Sequence, residues 1–181
     1  MARIYGKRIM LREYITSDIE SIRGWVNDHE TTRMLDPSIF SYPHPYEKTK
    51  AFVDSNIENG GPAFIIANIE TGEYIGQIDL MNINYRNRSA EIGIVIGIKR
   101  YRSLGYGSEA IKLLLEFAFN QLNLNRIEIR VFSFNEQGIR CYKKCGFIEE
   151  GCLRQAVYID GEYHDIIILS VLREEFDRME W

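Results

Sequence analysis

Hydrophobic positions along this chain switch between two periods, and the switches mark its elements. Residues 9–14 read as a short first strand. Ile19, Ile22 and Val26 then recur at helical spacing behind Ser17 and Glu20, a capping-box pattern that predicts a helix with one inner face. Residues 36–46 carry three prolines and three aromatics and read as an ordered but irregular loop. A helix follows over 45–59, closed by Gly60 and Gly61.

Residues 63–69 and 73–84 are strands joined by a Thr71–Gly72 turn, and 89–97 is a third beyond a polar link, which together predict an antiparallel meander. From Gly107 the period turns helical, through Ile111, Leu114, Leu115, Ala118 and Leu122. The strand at 126–131 is reached through that long helix, so it is expected parallel to 90–97. Asn135 caps a helix ending at Cys145, with Gly146 just beyond. Residues 147–158 and 162–172 form a hairpin around Asp160–Gly161, and a frayed helix ends the chain. The fold class is α/β in the α+β sense: a mixed, mostly antiparallel central sheet with helices on both faces. With no repeat and no linker, 1–181 reads as a single domain.

Composition narrows the partners. A chain of 181 residues, 45% hydrophobic, buries a core without metal or disulfide staples. The net charge of −4 argues against nucleic acid and leaves cationic small molecules open. No apolar run reaches the ~20 residues of a membrane span, and no signal-peptide core opens the chain. Three cysteines without a paired framework fit a cytoplasmic protein. Assembly of several copies is compatible with the sequence, which does not choose.

The stretch 90–119 has the most specific pattern. Gly93 and Gly97 interrupt a β-branched strand, which points to a bulge or to a ligand lying against the backbone. Lys99, Arg100 and Arg102 precede Gly105-Tyr106-Gly107-Ser108, where a helix begins. Unpaired N–H groups and the positive end of the helix dipole suit a phosphate-bearing ligand there. The plainer reading is a helix start with flexible glycines and solvated charges. Gly105, Gly107 and Ala110 also satisfy a dinucleotide fingerprint. Against a dinucleotide oxidoreductase, residues 99–104 separate strand from glycines, a meander comes first, and Glu128 falls inside the next strand.

Arg102-Ser103-Leu104-Gly105-Tyr106-Gly107 resembles the R/Q-x-x-G-x-G/A signature of the GCN5-related N-acetyltransferases. NEQGIRCYKKCGF, at 135–147, is similar to that family's later N-x-x-x-I-x-x-Y-x-K-x-G-F segment. Early MLREY and late DGEYHDIIILSVL resemble the branch holding ribosomal-protein and spermidine N-acetyltransferases, so the likeness covers nearly the whole chain. It implies acetyl-CoA as co-substrate and no metal. It also implies that the backbone of Ile94, Val95 and Ile96 pairs with the pantetheine arm. N–H groups of Ser103, Leu104, Gly105, Tyr106, Gly107 and Ser108 would hold the pyrophosphate, with Arg102, Asn135 and Lys144 as further cofactor contacts. The strands at 90–97 and 126–131 would splay to admit the thioester.

Acetyl transfer to an amine needs a neutral nitrogen, a stabilised oxyanion and a proton for the thiolate. Backbone N–H near Ile94 or Val95 could polarise the thioester carbonyl. Glu91 is the candidate base, acting through water, or else an ordinary strand carboxylate. Tyr142 lies two helical turns from Asn135, and the family likeness makes it the general acid rather than a packing tyrosine. Lys144 would meet cofactor phosphates or be a solvated charge. Cys141, Cys145 and Cys152 lack a histidine to complete a metal set and read as buried structural thiols. For the acceptor, Asp28, Glu30, Asp36 and Asp79 could attract a polyamine, and Phe40, Tyr42, His44 and Tyr46 could cover its stem or simply pack. The expected activity is acetyl transfer from acetyl-CoA to a primary amine, a polyamine or a protein N-terminus, by direct transfer in a ternary complex. The alternatives are a non-catalytic CoA- or nucleotide-sensing module and an aminoglycoside-type N-acetyltransferase.

Overall fold

The computed structural model describes residues 3–179. Eight strands are present among the described residues: β1 (Ile4–Tyr5), β2 (Ile9–Arg12), β3 (Ala63–Asn68), β4 (Tyr74–Asn84), β5 (Ser89–Val95), β6 (Arg126–Phe132), β7 (Ile148–Ile159) and β8 (Glu162–Leu172). The helices among the described residues are α1 (Asp18–Val26), α2 (His29–Thr32), α3 (Pro37–Phe40), α4 (Tyr46–Asn59), α5 (Tyr106–Asn120), α6 (Glu136–Lys144) and α7 (Arg173–Asp177). The sheet order is β1-β2-β3-β4-β5-β6-β8-β7. β5 runs parallel to β6, while β1–β2, β2–β3, β3–β4, β6–β8 and β7–β8 are antiparallel. The mixed, mostly antiparallel sheet expected from the sequence is therefore present, its parallel pair following from the crossover through α5.

The chain divides into two compact units. The first comprises Met1–Asp79 and Ile94–Leu113. Phe64, Ile65, Ile66 and Ala67 of β3 are all buried, so this strand is covered on both faces. On one face, Met10, Ile65 and Ala67 pack with Tyr14, Ile19, Ile22, Trp25, Val26, Val53 and Tyr74. The Trp25 indole N–H donates to the Tyr74 hydroxyl at 2.9 Å, satisfying a polar atom that burial would otherwise penalise. At the edge of this core, Arg12 meets Asp18 in a two-pronged buried ion pair, at 2.8 and 2.7 Å.

That pair explains one departure from the sequence expectation. Ser17 makes no side-chain capping bond, so the Ser17–Glu20 capping box does not form. Asp18 instead accepts the Ile15 N–H at 2.9 Å, and the turn at 15–18 is already closed by the Asp18 N–H bonding the Ile15 carbonyl. The segment 36–46 is also more regular than expected. Asp36 caps α3 by accepting the Ser38 N–H at 2.8 Å, with Pro37 at the first helical position, where its missing donor costs nothing. The helix expected at 45–59 is present, and Gly60 ends it at φ +61.

The second unit comprises Leu80–Gly93 and Leu114–Trp181. β6 is its axis: Ile127 and Ile129, both buried, stand opposite Val171 and Leu169 of β8, also buried. The hairpin turn falls at Asp160 and Gly161, whose φ of +53 and +90 suit a two-residue turn between twisted strands. Leu122 departs from expectation: α5 ends before it, Asn123 turns back at φ +54, and Leu124 is the fully buried side chain. The final helix is capped rather than frayed, because Glu175 accepts the Leu172 N–H at 2.7 Å and Phe176 packs on Phe119. Of the three thiols expected inside, only Cys145 is buried. Cys141 is half-buried and Cys152 is exposed on β7, a strand at the sheet edge with mostly outward residues.

Candidate active site

In the first unit the end of β5 leads into a tightly tethered loop. Arg102 turns back on it, donating to the Ile96 carbonyl at 3.0 Å and to the Thr31 hydroxyl at 2.7 Å. Arg8 reaches the loop from the other side, bonding the Leu104 carbonyl at 3.0 Å and lying over the Tyr106 ring. Glu109, in the first turn of α5, accepts the Lys7 and Arg8 N–H groups at 2.8 Å each and the Arg8 guanidinium at 2.9 Å. Burial pushes the Glu109 carboxyl up, but these donors outweigh it and hold it below its ordinary value.

Between these tethers the backbone turns left-handed at Ser103 (φ +61) and Gly105 (φ +85). Such turns gather N–H groups into a concavity. The first bond of α5 runs from the Glu109 N–H to the Gly105 carbonyl at 3.0 Å, so the Tyr106 and Gly107 amides precede the helical ladder. This loop and the positive end of the fifteen-residue α5 fit a pyrophosphate.

Two sequence expectations for this loop change. Gly97 makes room for a side chain rather than a ligand: a Cβ there would collide with the Trp25 indole. Gly76 of β4 is instead the glycine at a close backbone approach, with the Val95 carbonyl occupying the space a Cβ would need. The three basic side chains are also engaged. Lys99 pairs with Glu30 at 2.7 Å and Asp28 at 3.2 Å, Arg100 pairs with Glu73, and Arg102 faces inward. They shape the loop. Ile94, Val95 and Ile96 are half-buried, with Val95 on the apolar cluster.

In the second unit, β6 pairs with β8 over all seven of its residues but with β5 over three, Ser89 to Glu91 against Arg126 to Glu128. Glu91 stands beside Glu128 on that short ladder. Arg130 lies 3.6 Å from Glu91 and 3.1 Å from Glu128, and Arg126 bonds Glu128 at 3.0 Å. The candidate base is thus part of a charge ladder. Asn135 caps α6 by accepting the Gly138 N–H at 2.9 Å, and a Cβ at Gly138 would crowd that amide. Tyr142, on the same helix, is buried against Phe147, and burial pushes its phenol well above the ordinary range, so it keeps its proton at neutral pH. Lys144 is exposed.

The acceptor candidates separate clearly. Asp28 and Glu30 are held by Lys99, and Asp36 caps α3. Phe40 stacks on His44 at 5.2 Å and touches Trp25, so it is core, whereas Tyr42 is 78% exposed. Asp79 on β4 has no hydrogen-bond or ion-pair partner among the described residues, and burial pushes its carboxyl up to about 6. Sequence reasoning did not reach Arg8, Glu109, Thr31 or Trp25, since nothing local marks contacts that span up to 102 positions. Gly76, inside a strand, carried a readable signal.

Residues 8–148 match the acetyltransferase (GNAT) domain family, and the chain belongs to that family. It is an acyltransferase, of a family whose acetyl donor is acetyl-CoA. Over 177 residues it is 29% identical to the uncharacterized N-acetyltransferase p20 of Bacillus licheniformis, covering 97% of this chain and 99% of that protein. It is 29% identical over 144 residues to the spermidine N(1)-acetyltransferase of Vibrio cholerae, covering 77% of this chain and 83% of that one. The crystal structure of spermidine N-acetyltransferase from Vibrio cholerae in complex with CoA and spermine superposes with a TM-score of 0.83 at 24% identity, over 96% and 100% of the two chains.

Proposed function

We propose that this protein moves the acetyl group of acetyl-CoA to a primary amine of the polyamine class, by direct transfer in a ternary complex. The observation that carries the reading is the loop at 102–109. Its tethers fix a run of backbone amides at the start of α5, an arrangement that supports binding of a diphosphate. The short β5–β6 ladder supports it, because backbone groups of β5 beyond Glu91 are then available to pair with an extended amide-bearing arm such as pantetheine. The relationship to a spermidine N(1)-acetyltransferase favours a polyamine over a protein N-terminus.

In this reading Ile94, Val95 and Ile96 align the pantetheine arm. Ser103 to Ser108 hold the pyrophosphate, Asn135 fixes the start of α6, and Lys144 screens phosphate charge. Tyr142 donates its phenolic proton to the sulfur as the C–S bond breaks. Burial keeps that phenol protonated until a stronger base forms beside it. The test is free-thiol release from acetyl-CoA across spermidine, spermine, simple diamines and peptides. Turnover is expected with the polyamines, and Tyr142→Phe should lower kcat by ~100-fold or more with KM for acetyl-CoA little changed. Binding of acetyl-CoA without turnover on any amine would overturn the reading, and full activity of Tyr142→Phe would remove the acid assignment.

A further inference from the structure

A primary ammonium must lose a proton before its nitrogen can attack, and the sequence offered Glu91 for that task. Glu91, however, is neighboured by Arg130 and aligned with Glu128 in an arginine–glutamate ladder, an environment that serves strand pairing. A base needs a free lone pair within reach of the amine.

Asp79 has the free lone pair: no hydrogen-bond or ion-pair partner among the described residues engages it. It stands opposite Ala63 on the β3–β4 ladder, so it shares the sheet face of Ile65, Gln77, Ala67 and Tyr74. That face is the one lined by Tyr14, Trp25 and the inner residues of α1 and α4. The carboxylate is close enough for its charge to act on the buried Tyr14 phenol, which Phe52 meets edge-on at 5.9 Å. The titratable groups facing it are Tyr14 and, farther along the face, Tyr74 with its Gln77 contact; no cation among the described residues neutralises it.

Its place along β4 also suits the task. The Ile98 N–H bonds the Ile75 carbonyl at 3.2 Å and Gly76 abuts Val95, so β4 runs away from the phosphate loop as β5 is read backwards. Asp79 lies three residues beyond Gly76, about 10 Å along the strand. A pantetheine arm paired with Ile94–Ile96 and anchored at the loop would present its sulfur end on that side.

We propose that Asp79 receives the ammonium group of the acceptor and takes its proton, which makes it the general base of the transfer and the residue that selects a cationic acceptor. This rests on the acetyl-transfer reading above. The ammonium gives one proton to the Asp79 carboxylate, which passes it to water. The freed nitrogen lone pair forms the N–C bond to the thioester carbonyl carbon, and the C–S bond breaks with its electron pair on sulfur. Sulfur takes the Tyr142 proton, and the second nitrogen proton restores the phenol. The sum is amide, free thiol and one proton to solvent. A carboxyl titrating near 6 is ionised at pH 7 to 8, when this step requires it.

The experiment is a pH profile of kcat/KM for spermidine from pH 5 to 9, on the full chain and on Asp79→Asn, Asp79→Glu and Glu91→Gln. Thermal melts and calorimetric CoA binding report folding and the cofactor site. The unmodified protein should show a limb rising with pH through about 6. Asp79→Asn should lose that limb and ~100-fold or more in kcat while still folding and binding CoA, and Asp79→Glu should recover part of both. Retention of rate and limb in Asp79→Asn, or their loss in Glu91→Gln instead, overturns the assignment and leaves acetyl transfer standing. No thiol release from the unmodified protein with any amine overturns the acetyl-transfer reading and this assignment together.

Discussion

Carboxylates on neighbouring strands of this sheet live under opposite conditions. On β5, β6 and β7, Glu91, Glu128 and Glu150 are threaded by Arg126 and Arg130, and Ser170 bonds Glu150 at 2.8 Å. The Arg126 hydrogen bonds hold Glu150 down at about 2. On β4, Asp79 is more shielded from water than Glu150 and has no counterion among the described residues, and burial lifts it to about 6. The lesson is one of purpose. Paired charges cost the fold little or help it, whereas a lone half-buried carboxylate weakens the fold and persists where chemistry needs it.

Three substitutions sharpen or break that contrast. The largest effect belongs to the best-buried pair: Asp18→Ala strands the Arg12 guanidinium and should cost about 3–5 kcal/mol in urea unfolding. A loss under about 1 kcal/mol would show that water reaches Arg12 in the variant. Asp79→Asn should go the other way. Its folded-state carboxyl is raised above the unfolded value of 3.8, so ionisation penalises the native state increasingly as pH rises from about 4 through 6. The variant should therefore be more stable by on the order of 2 kcal/mol at pH 8 and no more stable at pH 4, by thermal melts. An equal gain at both pH values would place the cause in packing. Glu150→Gln is the smallest: the group is exposed, so no more than about 1 kcal/mol is expected, declining in high salt. Because its folded pKa is depressed, that difference should be present above about 4.5 and fade as pH falls toward 2.

Much of the scaffold could be read along the chain, and for local reasons. The helices at 46–59 and 136–144, the Asp160–Gly161 turn and the crossover before β6 each rest on capping residues, glycines or periodicity within a few positions. The misses share a different cause. Ser17 failed as a cap because Arg12 and Asp18 close that turn, and Gly97 was read for a ligand because Trp25, 72 positions earlier, fills its space. The left-handed turns of the loop at 102–109 were legible in its glycines, but the protein partners of its basic residues were not. Their partners Asp28, Glu30 and Glu73 come from other elements.

By itself the sequence determined the order of elements, the parallel entry of β6 and the glycine-marked start of α5, because periodicity, capping and turn geometry act over one or two turns of chain. Only the tertiary structure decided which charges are free. A counterion is a matter of a few ångströms in space, and folding brings Lys99 to Glu30 and Arg130 to Glu91 while leaving Asp79 without a counterion among the described residues.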